Sequence, residues 1–296
     1  MEGDIFLYYR RAAMALGDLF LPRHCAACGK VLLWSERHLC VSCLASLPLT
    51  YYWTMDHNPM GDRFNWLIEE KVSGDMPVAD SVEALEPYVR AAALFCYLEG
   101  FKKITQRLKY HADIAEGRYF SRLLGQKLAL SGIFSDIDII LPVPLHWMRR
   151  WTRGYNQAEI IAKELSACLG AETVTGVLLR KKHTKSQTKL SVEEKAINVA
   201  GAFTVNTDKL ATALKTAVCL KQAARNRLYA GLGDKDLELY DESGGQCNLL
   251  LVDDVFTTGS TLFACWCALR DAITSLGLSP ATVRISIATL AYVGNA

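Results

Sequence analysis

The run Leu249-Leu250-Leu251-Val252-Asp253-Asp254-Val255-Phe256-Thr257-Thr258-Gly259-Ser260-Thr261 limits what this chain can fold into more than any other stretch. Four consecutive apolar residues suit a strand buried on both faces, as in the middle of a parallel sheet. Two adjacent carboxylates follow, at the C-terminal end of the strand, where open α/β sheets bind their ligands. If the strand persists, Asp253 and Asp254 point to opposite sides and each can take a different hydroxyl or metal-bound water. The loop from Thr257 to Thr261 then starts a helix. It offers backbone N–H groups and hydroxyls, with Gly259 allowing close approach, which is a phosphate cradle. A ligand with a diol and a phosphate monoester a few bonds apart, such as a ribose 5-phosphate, satisfies both halves. A Walker B strand has the same apolar-then-acid form, but the chain contains no G-x-x-x-x-G-K-[ST].

The order of elements around this run supports an α/β fold with a mainly parallel sheet flanked by helices. Ala91 to Tyr97 reads as a strand and Lys102 to Tyr110 as a polar helix; Phe120, Leu123, Leu124 and Leu128 have helical spacing. Ile137 to Val143 is a β-branched run ended by Pro142 and Pro144. A basic loop from His146 to Tyr155 follows, carrying Arg149, Arg150 and Arg153. Asn156 and Glu159 make a capping pair for a helix through Leu165. Trp147 and Trp151, four apart, are read as packing groups. Arg180 to Lys189 is a second basic loop, Ala202 to Val205 a strand, residues 206–246 a polar insertion, and Thr282 to Ala288 a last strand. Residues 50–90, rich in aromatics, Pro, Gly and Asp without a steady period, read as a connector. The expected domains are 1–49, the connector 50–90, and 91–296 with the insertion.

The first domain holds Cys25-Ala-Ala-Cys28 and Cys40-Val-Ser-Cys43, with eleven residues between the pairs. Two such knuckles can close four thiolates on one structural Zn²⁺, a small zinc-ribbon-like module with no open coordination position. His24 and His38 are read as solvent-facing neighbours. The alternative is a pair of redox dithiols. The other six of the ten cysteines are scattered, which fits a reducing cytosol better than a disulfide framework. Ile5 to Leu21 reads as an amphipathic helix, because Arg10, Arg11 and Asp18 interrupt it; no stretch reaches the ~18 apolar residues of a membrane span. With 33 Lys and Arg against 31 Asp and Glu, the formal charge is only +2, so any basic site must be local.

All thirteen positions of the 249–261 run fit the PRPP-binding signature of type I phosphoribosyltransferases. With the blocks LPVPLHWMRRWTRGYNQAE, KSQTKLSVEEK and VDDVFTTGST and the four-cysteine module, the chain resembles the ComF family of competence-associated phosphoribosyltransferase-like proteins. The resemblance implies a type I phosphoribosyltransferase-like fold. It implies that Asp253 and Asp254 hold the ribose hydroxyls, and that Thr257, Thr258, Gly259, Ser260 and Thr261 hold the 5-phosphate. His146, Arg149 and Arg150 would meet the pyrophosphate, a mobile loop from Lys181 to Lys189 including Lys185 would cover the site, and Mg²⁺ would accompany PRPP. The implied activity is phosphoribosyl transfer linked to DNA uptake. Thr257 stands where members that salvage 6-oxopurines usually carry an acid, so the acceptor is left open. The other reading is a PRPP-sensing adaptor that binds single-stranded DNA or a DNA-uptake helicase, the zinc module being one DNA contact. Oligomeric state has no signal in the sequence.

Overall fold

A computed structural model describes residues 22–75, 87–110, 113–181, 201–229, 246–279 and 281–294. The N-terminal helix expected over Ile5 to Leu21 and the greater part of the loop from Lys181 to Lys189, Lys185 included, lie outside these residues. Strands β1 (Ala91–Cys96), β2 (Ile139–Pro142), β3 (Glu172–Thr173), β6 (Cys247–Phe256) and β7 (Val283–Tyr292) form a five-stranded sheet in the order β1-β7-β6-β2-β3, with every pairing parallel. β4 (Leu178–Arg180) and β5 (Phe203–Val205) form a separate antiparallel pair. The helices are α1 (Val41–Ala45), α2 (Pro59–Asp75), α3 (Lys102–Tyr110), α4 (Ile114–Ala129), α5 (Trp147–Arg153), α6 (Gln157–Leu169), α7 (Thr207–Tyr229) and α8 (Ser260–Ser275). None of the described helices is long and apolar enough to cross a membrane.

Both faces of the sheet are covered, and the period-two geometry of a strand sorts its side chains between two cores. Ala91, Ala93, Ile139, Leu141, Leu249, Leu251, Ile285 and Ile287 face one core, completed by α2, α7, α8 and the β4–β5 pair. Ala92, Leu94, Ile140, Leu250, Val252, Ala288 and Leu290 face the other, completed by α3, α4, α6 and the cysteine module. This explains the unbroken apolar run at 249–252: all four side chains are fully buried, two on each face. The ladder direction reverses at one place, since β2 leads outward to β3 while β6 leads the other way to β7. The gap between the C-terminal ends of β2 and β6 is therefore the switch point where such sheets receive ligands.

Three expectations change. Within residues 50–90 the chain forms α2, a 17-residue helix. Met60, Phe64 and Ile68, four apart, are buried against α8, with the Phe64 and Phe263 rings 6.2 Å apart edge to face. Its exposed face carries Asp62, Arg63, Glu69 and Glu70, so mean composition hides the stripe. The stretch from 207 to 229, expected as the start of a polar insertion, is helix α7, which buries Leu210, Ala213, Leu214 and Ala217. The basic loop after β2 is α5, a short helix capped by His146, whose Nδ1 accepts from Met148 N–H at 3.3 Å, and closed by Gly154 at φ +79°.

If α2 is an integral layer, truncating its central anchor must destabilise the whole domain. Phe64→Ala is expected to cost about 3 to 5 kcal/mol. Urea unfolding followed by tryptophan fluorescence checks this, with one cooperative transition moved to lower denaturant.

Candidate functional site

Strand β6 runs on past the end of β2. Pro142 is paired with Val252, and the last rung is the bond from Val143 N–H to Val252 O at 2.9 Å. Pro144 has no N–H with which to extend the ladder. Residues 253–256 of β6 therefore keep β7 on one side, with Asp253 opposite Thr289, while the other side opens into a cavity of about 290 Å³. Asn156 holds the opposite wall in place. Its Nδ2 donates to Val143 O at 3.0 Å and its Oδ1 accepts from Ala158 N–H at 3.2 Å, tying the end of β2 to the start of α6.

After β6 the chain turns through Thr257 and Thr258 into α8. Gly259 has φ +83°, and a Cβ there would approach Phe256 Cζ to 2.7 Å and Leu67 Cδ1 to 3.2 Å, so both conformation and space call for glycine. Thr258 Oγ1 and Ser260 Oγ are hydrogen-bonded at 2.8 Å. Gly259, at the N-cap of α8, has no side chain to cap the helix, and Ser260 N–H reaches Thr258 Oγ1 only at 3.5 Å, so the first turn suits an anion.

The cavity gathers Asp253, Asp254, Thr257, Thr261 and Arg149 from the sequence-derived set, and adds Lys109, Arg153, Asn156, Gln157 and Arg180. Four cations thus surround two acids. Thr258 and Gly259 form the turn behind this lining, and Ser260 faces the neighbouring groove between α2 and α8. His146 is buried and engaged in capping α5, and Arg150 turns away to pair with Glu159 at 2.8 and 3.3 Å, so neither lines the cavity. Helical geometry separates them: Arg149 and Arg153, four apart, share the inward face of α5, while Arg150 lies on another. Trp147 and Trp151, expected to pack, are 66% and 86% exposed among the described residues, with the Trp147 ring 5.7 Å from that of His146. Arg180 ends β4, and its guanidinium lies 5.2 Å from the Phe203 ring centroid. No spacing in the sequence pointed to Lys109, which α3 brings in from the far edge of the sheet.

The acid pair is electrostatically strained. Asp254 is buried, with its Oδ2 3.0 Å from Lys109 Nζ, and its N–H donates to Asp253 Oδ1 at 2.8 Å. Burial first, and then the neighbouring Asp254, raise Asp253 from 3.8 to about 7, against the opposing pull of the Asp254 N–H, Lys109 and Arg180. Burial opposes the charge on Lys109, but Asp254 and Asp253 outweigh it and raise its pKa. The divalent cation expected with PRPP fits this pair poorly, because Asp254 already holds an ammonium where a metal would sit.

The second cluster packs into the same core as α3 and α4. The sulfurs of Cys25, Cys28, Cys40 and Cys43 lie within 4.8 Å of one another, with Cys28 and Cys40 3.8 Å apart, and can hold a structural metal such as zinc. The knuckles are tied by Glu36, whose carboxylate accepts from Leu33 and Val41 N–H, both at 2.7 Å. Burial raises the Cys25 thiol, but N–H groups of Cys28, Cys40 and Ala27 outweigh it and bring it down to about 6, a thiolate suited to a metal. His38, expected to face solvent, is half-buried with its ring 4.9 Å from that of Tyr119 on α4.

Comparison with known proteins bears out the ComF resemblance. The chain is 29% identical over 169 residues to Competence protein F of Haemophilus influenzae, a match covering 56% of this chain and 60% of that protein. It is 24% identical over 131 residues to DNA utilization protein YhgH of Salmonella typhi and of Salmonella typhimurium, covering 43% of this chain and 58% of each. The chain thus spans about three fifths of the curated relatives it matches. No protein-family model matches it.

Two outcomes are expected of the clusters. Because Asp253 is held at about 7 instead of 3.8, the folded chain keeps a proton that the unfolded chain has released between those values. Its contribution to stability therefore falls as pH rises through that window and is a net cost above it. Asp253→Asn should raise stability by about 1 to 3 kcal/mol at pH 8 and by nearly nothing at pH 4, as calorimetric melting at the two pH values will read. At the cysteine cluster, elemental analysis should find about one zinc per chain, lost with a lowered Tm in Cys40→Ser.

Proposed function

We propose that this chain is a ComF-type protein of DNA uptake or utilization that binds PRPP at the end of β6 and transfers its phosphoribosyl group. The observation carrying this reading is the charge pattern of one cavity: Asp253 and Asp254 beside an uncapped helix start, faced by Arg149, Arg153 and Arg180. Two acids suit the donors of a sugar diol, N–H groups suit a monoester, and guanidiniums suit a pyrophosphate. A simple anion site would not place carboxylates among its cations.

In this reading Asp253 and Asp254 accept hydrogen bonds from the ribose hydroxyls, and the turn from Thr257 to Thr261 takes the 5-phosphate. Arg149 and Arg153 on α5 and Arg180 at the end of β4 face the pyrophosphate. As the C1–O bond breaks, its electron pair leaves with the pyrophosphate, and fixed guanidiniums bind that oxyanion best as its charge develops. The carboxylates beneath the ring offset the positive charge of the oxocarbenium-like sugar. The resemblance would add Lys185 to the pyrophosphate side, a residue outside the described ones. The competence context comes from what the relatives are called, Competence protein F and DNA utilization protein. A second reading, PRPP sensing without turnover, is favoured by one feature: the only carboxylates lining the cavity among the described residues are the acid pair itself, leaving none for an acceptor.

Titration calorimetry of the full chain with PRPP and with ribose 5-phosphate tests the site. Binding of both is expected, with Arg149→Ala weakening PRPP about tenfold or more and ribose 5-phosphate far less. Absence of binding to either would sink the proposal. Pyrophosphate release with and without DNA then separates transfer from sensing.

A further inference from the structure

Lys109 is the cavity residue that neither the phosphate turn nor the pyrophosphate side explains. Its Nζ lies 3.0 Å from Asp254 Oδ2, with the Lys109 side chain 29% and that of Asp254 10% exposed. The end of α3 holds it there from several directions. The preceding residue, Leu108, is buried in the core, packed so closely on α4 that a Cβ at Gly117 would collide with it, and its carbonyl accepts from Tyr155 O–H. Arg107, one residue earlier, clamps the same helix end to α4 through Asp113 at 2.7 Å and Glu116 at 3.1 Å. Asp113 in turn caps α4 through Glu116 N–H at 3.1 Å. Backbone, core and ion pairs thus fix the point from which Lys109 reaches the acids.

Two adjacent carboxylates in a confined site need a cation to stay ionised together. A hydrated Mg²⁺ would supply two charges, but it requires near-octahedral oxygens at about 2.0 to 2.1 Å and room for its waters. Here an ammonium delivered by the chain itself already lies against the buried oxygen of Asp254. Resting on the ribose-phosphate reading of the site, we propose that Lys109 is a built-in counter-ion that takes the place of a divalent metal at the Asp253–Asp254 pair. Lys109 is a positioning residue: it orients Asp254 toward the sugar diol, and the ribose-phosphate end of the ligand binds without magnesium.

Ribose 5-phosphate is the suitable probe, because it lacks the pyrophosphate that binds Mg²⁺ by itself. Titration of the full, zinc-retaining chain is run in buffer stripped of divalent ions by resin and again with millimolar Mg²⁺. The two dissociation constants for wild type should agree within about twofold, whereas Lys109→Gln should lose about tenfold without Mg²⁺ and recover much of it on addition. In parallel, Mn²⁺ titration read by electron paramagnetic resonance should find a site in Lys109→Gln that Lys109→Gln with Asp254→Asn lacks, and none at this pair in wild type. A wild type that binds Mn²⁺ in an Asp254-dependent way, or that gains tenfold or more from Mg²⁺, overturns the proposal even if Lys109→Gln fails to fold. Failure of ribose 5-phosphate to bind wild type in either buffer would instead remove the functional reading, while the Mn²⁺ titration still decides the role of Lys109.

Discussion

The structure depends on the burial of β6. Hydrogen-bonded to β7 on one edge and to β2 on the other, and covered by helices on both faces, this strand has no solvent-facing side over Leu249 to Val252. Each of those side chains contributes roughly 1.5 to 3 kcal/mol by leaving water, and a one-residue slip would exchange the two cores. The register is therefore strongly set. The residues after Val252 are delivered to a fixed point, and the first two of them are acids. The proline-marked end of β2 then frees the next residues of β6 on one side, so the same strand that anchors the sheet also borders a cavity.

That cavity sits at an energetic cost that the cores offset. Asp253 is held where its charge is disfavoured, and three guanidiniums and an ammonium converge within one small volume. A site so arranged is poised for a ligand bearing several negative charges and several hydroxyl donors, because such a ligand relieves both the crowded cations and the crowded acids. Sites of this kind are commonly less stable than neutral replacements of the same shape.

The cysteine module is joined to this site by packing and by charge. Its buried residues belong to the same core as α3 and α4. The His38 ring lies on Tyr119 of α4, and α4 is clamped through Asp113 and Glu116 to Arg107, two residues before Lys109. Burial raises Glu116 to about 8 in spite of Arg107 beside it, so near neutral pH the charge in the clamp is carried chiefly by the Arg107–Asp113 pair. The module thus supports the helix end that carries a cation to the acids.

Much of this was legible in the sequence, because it is written in local patterns. The apolar run, the acid pair and the glycine turn occupy consecutive positions, and each arises from period, charge or the freedom of one residue; the two C-x-x-C pairs are equally local. Helix α2 was obscured because its stripe of Met60, Phe64 and Ile68 is diluted by charged and small residues, and a stripe becomes evident only when there is a face to bury it against. The separation of Arg149 and Arg153 from Arg150 required knowing that the stretch after β2 is a helix. Lys109 had no mark, since a cation on a polar helix looks like any solvated one, and Arg180, read as the start of a basic loop, is instead the end of a strand. Local chemistry determined that strand, turn and helix would present two acids and a phosphate cradle. Only the tertiary fold, by bringing α3, α5 and β4 together over the end of β6, decided which cations stand around them.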